Sequence, residues 1–374
     1  MKKESKPVKA YKGFNKHMQC TPNGKIFQYE IGKEYKEDEA DLCRCGFHAC
    51  ENPLDVLSYY NNIDDKFCEV ELDKIDPNRN KDSKICGKKI KIGIEIGFSG
   101  LFKAGIEWIK NKTIFTKEDF KKLPSDDDAQ ISSSGDDAQI GSFGYGAQIS
   151  SSGYDAKIGS SGDYVQIGSS GDDAQIGSFG YGAQIGSSGD DAQIGSSGNH
   201  VHISSSGNHA QIGSSGYNAK ISSSGYDAKI GSSGYDAKIS SSGYNAKIGS
   251  SGYGAQISSS GYNAKIGSSG YGAQISSSGY DAKISSSGYG AQISSSGDYV
   301  QIDSSGDDCV IMCAGINSSA KAKIGSWITL AEWKYSEEKQ KYIPFSVVTK
   351  QVDGIEIKED VYYTLKDGKF KELK

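Results

Sequence analysis

The sequence predicts a mainly β protein, a parallel β-solenoid capped by an N-terminal α+β domain and a C-terminal β-rich domain. Three observations carry that prediction. Residues 129–308 divide into 20 consecutive nonapeptides without an insertion, of the form A-x-I-[G/S]-S-[S/F]-G-[Y/D/N]-x. An isoleucine holds one position in every copy, from Ile131 to Ile302, and the residue two before it is Ala except at Val165, Val201 and Val300. The residue after the isoleucine alternates through the second half of the repeat: Ser204, Gly213, Ser222, Gly231, Ser240, Gly249, Ser258, Gly267, Ser276.

Each observation has a structural consequence. Ala, an outward polar residue and Ile make the period-two pattern of a short strand with one buried face. The S-S-G step that follows reads as a turn, with glycine giving the corner its backbone freedom. Strand plus turn at fixed spacing is a solenoid, and an isoleucine that never misses its place excludes a flexible Gly/Ser linker. Nine residues per coil would leave almost no interior, whereas about 18 place two strands across a thin Ala/Ile core. The Ser/Gly alternation then sets odd and even copies on opposite faces. Twenty copies make ten coils, a rod about 45–50 Å long at roughly 4.8 Å per rung.

The flanks divide the chain into 1–124, the solenoid at 125–310 and 311–374. Both ends of a solenoid expose an unpaired strand edge, so the flanks are expected to act as caps. Ile90, Ile92, Ile94 and Ile96 alternate with Lys91, Gly93 and Glu95 as a strand would. "GLFKAGIEWIK" then reads as a short amphipathic helix turning Leu101, Phe102, Ile106 and Ile109 toward the first coil. "AKAKIGSWITLAEW" continues the alternation past the last repeat, and "IPFSVVTKQVDGIEIKEDVYYTL" follows as a β-rich tail.

The formal charge of -5 is modest. No apolar run follows the start to form a signal peptide, and none approaches the ~18 residues of a membrane span. The expectation is a cytoplasmic chain with no membrane partner, in which the eight cysteines stay reduced. Charge is uneven along the repeats. Between residues 129 and 308, 15 Asp against 7 Lys leaves eight negative charges in excess, while residues 201–290 hold three Asp and six Lys.

The flanks carry a resemblance. "KAYKGFNKHMQC", "FQYEIGKEYKEDEADLCRCGFHACENPLDVLSYY", "GSWITLAEW" and "VDGIEIKEDVYYTLKDGKF" are similar to the conserved ends of uncharacterised phage and prophage proteins, which carry a glycine-rich repeat of variable length between them. The resemblance implies a prophage or phage setting, with expression inside a bacterial host. It implies no activity.

Candidate chemistry is sparse. Cys43, Cys45, His48 and Cys50 in "CRCGFHAC" are residue types that hold tetrahedral zinc. Their spacing is not a paired C-x-x-C, so core cysteines, with Cys43 and Cys45 on one strand face, are the first reading and zinc the second. A nucleophilic Cys beside His48 lacks a third orienting group. "GFHAC" followed by Glu69 and Glu71 keeps the order of ADP-ribosyltransferase-like folds, which makes a small N-terminal enzyme carried by the solenoid one alternative. Calcium is not expected: Asp stands two after the repeat glycine at Asp137, Asp155, Asp173, Asp191, Asp227, Asp236, Asp281 and Asp308, but Gly, Asn, His or Tyr stands there elsewhere and the double glycine of calcium-binding rolls is missing. No other cofactor is expected.

The repeat surface is the chief functional feature. Tyr217, Tyr226, Tyr235, Tyr244, Tyr253, Tyr262, Tyr271, Tyr280 and Tyr289 recur without a break, and 18-residue coils sort them into two ladders with Lys229, Lys247, Lys265 and Lys283 as a lysine ladder on one side. Aromatic faces with regular cations suit single-stranded nucleic acid, glycans or nucleotides; stacked tyrosines also stabilise rungs by themselves. The expected function is a non-enzymatic binding protein presenting a repetitive surface to a host macromolecule, protein first and nucleic acid second, such as a host-defence inhibitor or a DNA mimic. The structural rival is a virion spacer or fibre component, with the flanks forming a homo-oligomer.

Overall fold

In the computed structural model, residues 7–60, 65–78, 83–113 and 126–373 are described. The chain forms two compact units, residues 1–108 and 109–374. The expected boundary at residue 124 falls outside the described residues.

The second unit is the solenoid. Four-residue strands recur every nine residues from Gln130–Ser133 to Gln301–Ser304, and each pairs in parallel with the strand 18 residues away, as Ile149 does with Ile131 and Ile167. Alternate strands therefore build two sheets of 13 strands each. The first face begins at Gln130–Ser133 and the second at Gln139–Ser142. Parallel pairing runs one coil beyond the repeats through Val310–Cys313 and Ser319–Lys321, giving about 11 turns. At about 4.8 Å per rung the rod is ~50 Å long.

The interior has three inward positions per strand rather than two. Ala and Ile fill the first two, and the serine read as part of the turn is the third: Ser214, Ser286 and Ser304 are wholly buried. Some of these hydroxyls accept from the glycine N–H two residues on, as Ser142 and Ser160 do at 3.1 and 3.3 Å. Others, including Ser178, Ser214 and Ser250, have no hydrogen-bond partner. A small side chain is what the narrow interior requires there.

The corners correct the role given to glycine. The repeat glycine does not have a positive φ. A Cβ on it would lie 1.8–2.1 Å from the carbonyl oxygen of the glycine 18 residues earlier, from Gly153 to Gly315, so stacked corners touch backbone to backbone. The left-handed residue is the one two positions later. Asp137, His200, Asn218 and Tyr299 all have φ between 53° and 59°, and Gly146, Gly182, Gly254, Gly272 and Gly290 take the same place. Asp, Asn and Gly tolerate that conformation best, which accounts for the mixture that the sequence shows there.

The C-terminal end is closed by antiparallel strands. Trp327–Ser336 adds to the first face in parallel and then pairs with Lys341–Gln351 in antiparallel fashion. On the second face Ser319–Lys321 meets Tyr363–Lys366, which turns back into Lys369–Glu372. The tail thus covers both open edges of the last coil, as expected.

The first unit is a five-stranded antiparallel sheet. Its strands are β1 (Val8–Phe14), β4 (Glu34–Lys36), β5 (Phe47–Cys50), β6 (Lys66–Ile75) and β7 (Lys84–Glu95), with the short pair β2 (Gln19–Cys20) and β3 (Phe27–Gln28) beside them. The order is β4-β7-β5-β1-β6, and β7 also pairs with β6, so the sheet closes on itself. A register shift between Cys68 and Val70 sets Gly93 against the Glu69 carbonyl. Beyond it the alternation of β7 changes face: Ile90 and Ile92 are buried, whereas Ile94 is 64% exposed. Helix α1 (Gly97–Thr113) follows, longer than expected, with Leu101, Phe102, Ile106 and Ile109 buried. Phe98 meets Phe67 and Phe102, and Gly105 leaves room for Leu54, so the first turns of the helix pack on the N-terminal unit.

Candidate recognition surface

Each coil shows two outward residues per strand, and the two faces differ. On the first face the row Gln130, Gln148, Gln166, Gln184, His202, Lys220, Lys238, Gln256, Gln274, Gln292 is exposed throughout, beside exposed serines such as Ser204, Ser222, Ser240 and Ser258. These rows line a groove of about 1760 Å³ running along the rod. On the second face the equivalent residues are exposed only at Gln139 and Gln301 near its ends and sink in between: Lys229 and Lys247 are 9% exposed, and Lys265 and Lys283 are half-buried.

The lysine ladder exists in register, Lys229 beside Lys247 beside Lys265 beside Lys283. Its middle is not an exposed row of cations. Burial, with Lys229 and Lys265 as like-charged neighbours, pulls the Lys247 ammonium down to about 8. The exposed lysines of the rod's middle are Lys220 and Lys238, on the first face. Sequence reasoning counted them without placing them, although coil parity was enough to separate the two sets.

Both tyrosine ladders form. Tyr217, Tyr235, Tyr253, Tyr271 and Tyr289 stack along one edge, and Tyr226, Tyr244, Tyr262 and Tyr280 along the other. Centroids lie 4.7–5.9 Å apart with interplanar angles of 2–28°. Stacking at this distance turns ring faces toward one another, so a ligand meets ring edges and a row of phenolic hydroxyls. Aromatic packing continues beyond the predicted ladder through Tyr145, Tyr164, Tyr181 and His200. The sequence signal there is a tyrosine displaced by one residue, as in "DYV" at 163–165.

Where Asp or Asn replaces tyrosine, the side chain has a backbone task. Asp136, Asp163, Asn199 and Asn208 each accept, through Oδ1, from the backbone N–H of the residue 18 positions on. Asp136, Asp163, Asp172 and Asp190 are in this way tied to the rungs, whereas Asp137, Asp155, Asp173 and Asp191 stand at the left-handed corners.

In the N-terminal unit, residues 41–46 are a turn rather than a strand. Cys43 is exposed with φ 69°, Cys45 is half-buried and Cys50 is buried. His48 on β5 accepts at Nε2 from the Cys43 N–H at 2.9 Å, and burial together with Lys84 and Lys12 lowers its pKa. The four candidate ligands are dispersed: among the described residues no three His, Cys, Asp or Glu side chains gather closely enough to share a metal ion. None of the eight cysteines forms a disulfide, and burial pushes Cys68 and Cys86 up to about 12. Glu69 pairs with Lys9 at 2.9 Å. Neither Glu69 nor Glu71 lines the pocket that holds His48.

Residues 8–104 match the family model of a domain of unknown function, DUF7666. The matched span takes in the closed sheet and the first turns of α1, and leaves out the repeats. No curated protein and no solved structure matches the chain. Among the described residues no helix is long and apolar enough to cross a membrane.

Proposed function

We propose that this is a non-enzymatic binding protein of phage or prophage setting, whose solenoid presents its first face and tyrosine edges to a host protein. The supporting observation is the continuous exposed polar row on one face, mostly Gln with His202, Lys220 and Lys238, bordered by two stacked tyrosine ladders, while the lysines of the other face are buried or half-buried. Tyr, Ser, Gly and Asn dominate protein-binding paratopes, because tyrosine supplies contact area at low entropic cost and the small polar residues adapt their hydrogen bonds. The rod has that composition in rigid form.

The same geometry weighs against nucleic acid. Single-strand binding needs open ring faces and cations along the backbone; here the faces are occupied by neighbouring rings and the longest lysine row is sunk. DNA mimicry is also less favoured, since many Asp carboxylates serve backbone N–H groups or sit at left-handed corners. The phage setting rests on the resemblance of the flanks, and a host-defence factor is a fitting partner for a protein made inside the host.

The test is capture from bacterial host lysate by the intact chain and by a variant with Tyr217, Tyr235, Tyr253, Tyr271 and Tyr289 changed to Ser, with folding checked by circular dichroism. Loss of one stoichiometric protein from the variant is the expected result. Equal capture by both would move the function to the flanking domains, and recovery of virion proteins alone would favour the spacer.

A further inference from the structure

The N-terminal unit holds a pocket of about 420 Å³ that the solenoid reading does not use. Its lining includes Lys12, Lys84, Tyr29, Tyr59, Tyr60 and Phe27. Lys12 projects from β1 and is 9% exposed. Its Nζ donates to the His48 carbonyl at 2.9 Å and lies 5.6 and 5.7 Å from the Phe14 and Tyr29 ring centres. Among the described residues no carboxylate pairs with it. A buried ammonium without a counter-ion is costly, and its presence in a concave site marks a place where an anion belongs.

The surroundings repeat the sign. Lys84 reaches the same segment from β7, its Nζ 3.7 Å from Cys43 Sγ and 4.5 Å from the Tyr59 ring centre. Arg44 also lines the pocket. The carboxylate of the lining, Glu37, is engaged by the Gly46 N–H at 3.0 Å. The Arg44 guanidinium is paired with Asp41 at 3.4 Å, so the positive excess is that of Lys12 and Lys84, and two ammonium groups beside one occupied carboxylate suit a dianion better than a single carboxylate. The remaining wall is aromatic, and Gly13 on β1 is required for it: a Cβ there would lie 2.4 Å from the Tyr60 ring.

We propose that this pocket binds a small phosphomonoester carrying a flat ring, of mononucleotide size, with the phosphate held between Lys12 and Lys84 and the ring against the tyrosine wall. Charge fixes the phosphate end, and the volume falls within the ~300–1,000 Å³ typical of small-ligand sites.

The experiment is calorimetric titration of the full chain with adenosine monophosphate, uridine monophosphate, adenosine and inorganic phosphate. Saturable binding of at least one mononucleotide is expected, with adenosine and phosphate each at least about tenfold weaker. Lys12→Met should weaken the mononucleotide by at least about tenfold while leaving the melting temperature of the unliganded chain equal or higher, since it removes an unpaired buried charge. Should that variant fail to fold, the half-buried Lys84→Met carries the same test. The proposal is overturned by the absence of saturable mononucleotide binding, by an affinity unchanged in the folded lysine variants, or by phosphate binding as tightly as the mononucleotide.

Discussion

At the scale of single residues, the repeat is governed by contacts between one coil and the next. Gly234 shows this most plainly: a methyl group there would stand 1.9 Å from the Gly216 carbonyl oxygen, so the corner has no space for any side chain. Gly234→Ala is expected to destabilise the rod by about 3 kcal/mol or more, as severe overpacking does, and chemical denaturation measures it. Ser214 presents the opposite case. It is wholly buried with an unpartnered hydroxyl, so Ser214→Ala should stabilise by about 1 kcal/mol; a lower melting temperature would contradict the account of the third inward position. Lys247 is the charged exception. Its folded pKa of about 8 lies below the ordinary 10.5, so the folded state disfavours its charge. The penalty is complete below pH 8 and is relieved as pH rises from 8 to 10.5. Lys247→Met should therefore stabilise the fold at pH 7 by on the order of 1–3 kcal/mol, seen as a higher melting temperature, with the gain shrinking toward pH 10.

At the scale of elements, legibility follows how local the cause is. The strands and the 18-residue coil were readable because the Ser/Gly alternation reports two environments directly. The inward serine was missed because serine in S-S-G has the composition of a turn, and only the closeness of the two sheets shows that it points inward. The parity of the lysine ladder was readable; its burial was not, because a register position does not say what lies above it. Cys43 and Cys45 looked like strand positions by alternation, yet positive φ at Cys43 and Gly46 bends that segment into a turn. The pocket was illegible for a similar reason. Lys12 and Lys84 are distant in sequence and come together only because β5 lies between β1 and β7.

At the scale of the whole molecule, the rod is a two-residue-class grating: one face hydrogen-bonding and open, two edges aromatic, one face sunken in its middle. Parity ties these properties to coil number. Deleting residues 213–230 removes one full coil and keeps every later strand on its face, so the shortened chain should fold with nearly unchanged cooperativity. Deleting residues 213–221 removes half a coil and would send every later strand to the opposite face, bringing the C-terminal closing strands onto the wrong sheets. A marked loss of thermal stability is expected for the second deletion and not for the first, by differential scanning calorimetry. Equal behaviour of the two would contradict the assignment of faces to coil parity.

The most direct test of the recognition surface is site-specific photocrosslinking in host cells, with a photoreactive phenylalanine analogue placed at Tyr253, at Gln256, at Tyr59 and at Tyr342 in turn. The account predicts one host protein crosslinked from Tyr253 and Gln256, on the tyrosine edge and the open face, and not from Tyr59 or Tyr342 in the flanking domains. Crosslinks confined to the flanking positions would contradict it and leave the solenoid as a spacer.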